Sequence, residues 1–348
     1  MNLFYYDKEN NVYDTQLDAL RSGKECMFYF HENVYDKVDW SQEPIESLDE
    51  LYKRRAEYIR DTNEYVMLCY SGGSDSTKVL ESFYYNNIHI DEILVVGAFS
   101  QDSHYGSDEN HNGDIYHNVY PTLKKLDIRN TKVTVIDYTK WFDDPNNFSL
   151  IRHYGKDWAK HIGVFRSIHN LFWYDLCRFL PNDKQTAYVM GSDKNCISNV
   201  IDLEKTERPF VSFNDIQFAD YGCNYRDTNY TRVNFHNDTD KTSIDLIRKQ
   251  THTMLKVLKT YERFNQEQVY FANQHEIYIK VIYDLKNPLN YQSKKSTISS
   301  LSARDKFILN RKNEAMYEVF QQGLATIREH NGHANMKYIF TGKPYYLA

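Results

Sequence analysis

Four short runs rich in apolar residues punctuate the middle of the chain: Glu64–Tyr70 (EYVMLCY), Glu92–Phe99 (EILVVGAF), Lys132–Asp137 (KVTVID) and Thr186–Gly191 (TAYVMG). Each has the length of a strand rather than a helix, and such runs suit strands buried in a parallel sheet. Segments of helical period lie between them. Thr77–Asn86 turns Val79, Leu80 and Phe83 inward, and Ile115–Leu126 and Gly163–Leu180 follow the same rule. Strand and helix in alternation predict an α/β fold, an open and mostly parallel sheet with helices on both faces. Ligands of such sheets sit at the carboxyl ends of the strands.

The flanks read differently. Residues 1–60 form a small N-terminal extension with a short strand at Met27–Phe30. A helix opens at Pro44–Leu48, capped by Ser47, and carries Leu48, Leu51, Tyr52 and Ala56 at helical spacing to about Arg60. The strand–helix alternation occupies 61–200 as one domain. Residues 201–240 look irregular and polar. From Ser243 the pattern is mainly helical to 348: Ile244, Leu246 and Ile247, then Met254, Leu255 and Leu258, then Gln268–Leu285, a break at Pro288 and Lys294–Ser302, and Arg304–Glu329.

Composition narrows the class. Of 348 residues, 41% are apolar and 26% charged, enough for a sizeable core and against disorder. A net charge of -6 argues against a surface that grips nucleic acid throughout. No run approaches the roughly 20 apolar residues of a membrane span, and the start lacks the pattern of a signal peptide. Five scattered cysteines, Cys26, Cys69, Cys177, Cys196 and Cys223, contain no CxxC pair and read as free thiols of a reducing cytoplasm. The 30 tyrosines, with abundant Asn, Lys and Ile, match AT-rich codons. That bias points to a phage or low-GC bacterial genome and carries no mechanism.

The candidate chemistry is Ser71-Gly72-Gly73-Ser74-Asp75-Ser76, between an apolar strand and a helix. Two glycines let the backbone turn sharply and approach a ligand. Successive N–H groups and the positive end of the following helix form an anion-binding nest, and the three serines add hydroxyls. Asp75 would be repelled by bare phosphate, so it fits a Mg²⁺ ion that bridges phosphates. The Walker-type GxxxxGK[ST] loop is absent. His104, His111 and His117, in a long polar stretch with Asp102, Asp108 and Asp114, match no strong zinc spacing and read as surface histidines; the alternative for the Ser100–Asp114 loop is a lid. Arg166 reads as solvated on its helix.

All six loop positions resemble the SGGxDS pyrophosphate loop of the PP-loop ATP pyrophosphatases, the adenine nucleotide alpha hydrolase-like superfamily, over roughly residues 60–200. The resemblance implies a five-stranded parallel sheet, with ATP and Mg²⁺ bound by Ser71, Gly72, Gly73, Ser74, Asp75 and Ser76. It also implies that adenine lies over Val96, Gly97, Ala98 and Phe99 at the end of the second strand. Gly191, Asp193 and Lys194 after the fourth strand would stand near the phosphates, Asp193 as a second metal contact. Similarity to asparagine synthetase-like proteins implies that Lys294 or Lys295 neutralises the leaving pyrophosphate, with Arg304 a weaker candidate.

The activity so implied is an ATP-dependent, AMP-forming ligase or amide synthetase that adenylylates an oxygen of a small-molecule or nucleic-acid-derived acceptor. Residue 2 is Asn2 where a fused glutaminase would carry cysteine. Free ammonia, an amine or a separate glutaminase would therefore supply nitrogen. Sulfur transfer through Cys177, Cys196 or Cys223, tRNA or nucleotide modification, and a catalytically silent nucleotide-binding module are the alternatives.

Overall fold

The computed structural model describes residues 4–97, 99, 112–137, 140, 141, 144, 146–161, 168–176, 184–191, 196–201, 207–215, 229–260, 274, 276–287, 314–331 and 340–347. The strands are β1 (Phe4–Asp7), β2 (Val12–Tyr13), β3 (Cys26–Tyr29), β4 (Tyr65–Cys69), β5 (Glu92–Gly97), β6 (Lys132–Asp137), β7 (Thr186–Met190), β8 (Cys196–Ile201), β9 (Glu207–Ser212), β10 (Tyr230–Asn234) and β11 (Tyr345–Tyr346). The helices are α1 (Gln16–Arg21), α2 (Glu32–Tyr35), α3 (Leu48–Asp61), α4 (Ser74–Tyr84), α5 (Tyr120–Lys125), α6 (Ser149–Tyr154), α7 (Ile168–Leu176), α8 (Lys241–Leu258) and α9 (Glu314–Asn331). Ile115–Val119 and Tyr278–Tyr283 are single π-helical stretches, and Gly155–Lys160 is a 3₁₀ helix.

The central sheet has five strands in the order β10-β7-β4-β5-β6, and every pairing in it is parallel. Its alternating side chains divide between two cores. Val66, Leu68, Ile93, Val95, Ala187 and Val189 pack with residues of α3, α4, α5 and α8. Met67, Leu94 and Tyr188 face the other way, onto Trp158, Leu171, Phe172, Phe320 and Leu324. Both faces are thus covered by helices. α3 opens as expected, with Ser47 and Glu50 forming a reciprocal capping box.

The fifth strand, β10, lies beyond residue 200, inside the stretch expected to be irregular. β8 and β9 also border or occupy that stretch, so the expectation for 201–240 is corrected. In β10 only Tyr230 and Val233 are buried, and Thr231, Arg232 and Asn234 interrupt any apolar run. Pro209 breaks the strand signal of β9.

Two small antiparallel sheets, β2-β1-β3 and β11-β9-β8, complete the fold. A C-terminal strap joins them. Phe28 N–H donates to Thr341 O (3.2 Å), and Gly342 N–H donates to Phe213 O (2.7 Å). Beneath the strap, buried Asp215 accepts from Tyr5 Oη (3.2 Å), Gln16 Nε2 (2.8 Å) and Phe340 N (3.1 Å). No described helix is long and apolar enough to cross a membrane.

α9 closes over the second core at a glycine. A Cβ on Gly323 would fall well inside contact distance of Trp158 Nε1, and Trp158 is fully buried with its ring stacked on Phe320 (5.0 Å). Alanine gains up to about 1 kcal/mol of helix propensity over glycine, but overpacking costs about 1–3 kcal/mol. Gly323→Ala is therefore expected to lower the melting temperature. A rise would show that the α9 interface yields without cost.

Candidate functional site

The sheet's own strands run outward from β4 to β5 and β6 on one side, and to β7 and β10 on the other. The winding direction reverses between β4 and β7, which is the topological switch point where open α/β sheets bind ligands. The Ser71–Ser76 segment leaves β4 and Gly191 leaves β7, so the two flank that point.

α4 begins at Ser74, three residues before the expected start, and Gly73 is its N-cap (φ -77°, ψ 166°) with no side-chain cap. Ser74, Asp75 and Ser76 thus form the first helical turn, whose N–H groups have no intrahelical acceptor and face outward from the positive end of the helix. The serine hydroxyls brace the loop from within. Ser71 Oγ lies 3.1 Å from Ser76 Oγ and accepts from Gly73 N (3.3 Å), while Ser76 Oγ donates to Gly73 O (3.2 Å). Ser71 is exposed, whereas Ser74 and Ser76 are buried.

Three glycines are closely surrounded, Gly191 by backbone, Gly97 by side-chain ends and Gly72 by backbone and side-chain atoms. Gly72 has φ +75°, and a Cβ there would meet Val119 Cγ2 at 2.8 Å and Asp114 O at 3.1 Å. The π-helical stretch Ile115–Val119 therefore rests on the loop, and such stretches recur at functional sites. At Gly97 a Cβ would meet Ile115 Cδ1 at 2.6 Å and Phe99 Cζ at 2.7 Å. At Gly191 it would meet Ser76 N at 2.6 Å and the carbonyl carbon of Asp75 at 2.7 Å. The exit of β7 thus touches the first turn of α4, backbone to backbone. Gly73, by contrast, has a φ that any residue adopts.

Ser71–Ser76, Gly97 and Gly191 are brought together at this edge, and half-buried Val96 borders it. Ala98, Asp193, Lys194, Lys294 and Lys295 lie outside the described residues, as do His104, His111, Arg166 and Arg304. His117 is exposed on the π-helical stretch. Among the described residues, no group of three or more His, Cys, Asp or Glu stands together to hold a metal. Mg²⁺ needs only one or two carboxylates when phosphates and water complete its shell, so Asp75 beside a glycine cradle fits such an ion.

Several neighbours were not foreseen. Asp75 Oδ1 accepts from Tyr283 Oη at 2.5 Å. Tyr283 is fully buried, and burial, followed by the Asp75 charge, pushes its phenol well above the ordinary tyrosine range. Its ring lies 5.4 Å from His236 and 6.5 Å from Tyr52. Lys78, one turn further along α4, stands 4.4 Å over the Tyr52 ring, and burial lowers its pKa against the opposing pull of Asp49. Cys69, just before the loop, has its thiol pushed up to about 11 by burial, which leaves it a poor nucleophile at neutral pH.

The far side of the edge is set by Arg55. Its guanidinium, fully buried, donates to Phe235 O (3.0 Å), Asn234 O (3.0 Å), Asp238 Oδ2 (3.2 Å) and Asp240 Oδ2. Asp240 in turn caps α8 at Thr242 N and Ser243 N. This clamp fixes the exit of β10, after which His236 and Asn237 are buried, His236 beside Tyr52 and Tyr283.

Fold and edge together define a parallel α/β protein with a glycine-rich loop at the switch point of its sheet. No protein-family model, curated protein or solved structure matches the chain.

Proposed function

We propose that the chain binds ATP at Ser71–Ser76 and cleaves it between the α and β phosphates, as an AMP-forming ligase of the PP-loop ATP pyrophosphatase type. The observation that carries this reading is the loop itself: a six-residue SGGxDS match whose Gly72 takes φ +75° at the switch point, directly ahead of a helix with no side-chain cap.

In this reading the N–H groups of the first turn of α4 hold the pyrophosphate oxygens, and the positive helix end favours the charge that builds there. Gly72 and Gly191 keep side chains out of the cradle. Asp75 would hold Mg²⁺, which supplies charge neutralisation on the phosphates when bound. An acceptor oxygen attacks the α phosphorus, the bond from that phosphorus to the α–β bridging oxygen breaks and pyrophosphate leaves; ammonia or an amine then attacks the adenylylated acceptor and displaces AMP. The work of the chain is positioning. The high thiol pKa at Cys69 lends no support to sulfur transfer from that residue.

The test is product analysis with ATP labelled at the α phosphate, in Mg²⁺, against a panel of amino acids, ammonia and RNA. AMP with pyrophosphate is expected, and the panel member that stimulates release names the acceptor class. ADP with phosphate would overturn the reading. Binding without turnover across the panel would favour a nucleotide-binding module.

A further inference from the structure

We infer that Tyr283 is a positioning residue for Asp75, setting the carboxylate so that it meets a divalent cation carried by the nucleotide. The inference rests on the reading of Ser71–Ser76 as a nucleotide loop.

Asp75 is the second residue of α4 and half-buried, with its side chain turned to the segment 278–287 rather than back along its own helix. The Tyr283 hydroxyl reaches Oδ1 at 2.5 Å, a charge-assisted length. That hydroxyl cannot swing away. The ring is wholly buried, nearly parallel to His236 (29°), with Tyr52 and Tyr278 against its other sides. The backbone is held as firmly. Asp284 leaves the π-helical stretch in the left-handed region (φ 43°). Two residues on, Lys286 N (3.1 Å), Asn287 N (2.7 Å) and Asn287 Nδ2 (2.9 Å) all donate to buried Glu81 of α4. Asn287 Nδ2 also reaches Tyr85 Oη (3.1 Å). One segment therefore grips α4 at its first turn and again near its end, which fixes the register of Tyr283 against Asp75.

A bond serving the fold alone has no need of this carboxylate, since Glu81 and Asn287 already dock the segment. What the phenol adds is a fixed plane for a side chain at the mouth of the loop. Loss of the outer partner of a ligating carboxylate typically weakens metal affinity about 10–100-fold.

The test is calorimetry of ATP binding to the full chain, once with Mg²⁺ and once with EDTA, for the wild type and Tyr283→Phe, with melting curves of both. The variant keeps the ring and removes only the hydroxyl. Metal-free affinity is expected to stay within about twofold, while the gain given by Mg²⁺ falls about tenfold. In an Asp75→Asn background the same change is expected to have no further effect. A Mg²⁺ gain equal to wild type would overturn the inference alone, and so would equal loss of both affinities together with a lower melting temperature. A wild-type chain that binds no ATP would overturn the nucleotide reading and the inference with it.

Discussion

Arg55→Ala is expected to lower the free energy of unfolding by about 3 kcal/mol, the low end of what removing one partner of a buried ion pair costs. The low end applies because Asp238 and Asp240 are only partly buried and recover some hydration when the guanidinium goes. The carbonyls of Asn234 and Phe235 lose their donors at the same time. Arg55→Lys is expected to recover little, since one ammonium cannot span four acceptors in a planar fork. Urea unfolding checks this through a lowered midpoint at unchanged slope. A loss under about 1 kcal/mol would mean that water replaces the guanidinium and that the exit of β10 holds without it.

Gly191→Ala is expected to weaken nucleotide binding about 5- to 150-fold while the chain still folds, because one methyl in a packed site forces backbone shifts of about 1–3 kcal/mol. The three atoms nearest the added Cβ would all be backbone, among them Ser76 N at 2.6 Å and the Asp75 carbonyl carbon at 2.7 Å. No side chain can rotate aside, so the first turn of α4 must move away from β7, and with it the N–H groups of the loop. Calorimetry with ATP, beside circular dichroism for the fold, reads the two effects apart. Unchanged affinity would place the ligand elsewhere than the switch point.

The central strands β4, β5 and β7 were legible because burial on both faces writes them as short apolar runs. Of the two edge strands, β6 was legible through the alternating β-branched residues of KVTVID, although none of it is buried, whereas β10 was not, because Arg232 and Asn234 break up YTRVN. The loop was legible as a motif, but the division of labour between its glycines was not. Gly72 carries the positive φ and Gly73 does not, and only the packing of Val119 and Asp114 against Gly72 decides that. Ser-Asp-Ser also hid the start of α4, since these residues suit a cap as well as a first turn. Tyr283 is one of 30 tyrosines, more than 200 residues along the chain from Asp75, and nothing local marks it. The roles implied for Asp193, Lys194, Lys294 and Lys295 fall outside the described residues.

The strap that joins β3 to the end of β9 sets an order of events during synthesis. Domains generally form as the chain emerges, N-terminal part first, yet the Phe28 N–H donates to Thr341 O and Asp215 accepts from Phe340 N, both late in the chain. The aromatic residues of β1 and β3 must wait, partly uncovered, until most of the polypeptide has left the ribosome. Contacts of such long separation make folding slow. The final packing of these strands therefore depends on residues more than 300 positions further along the chain.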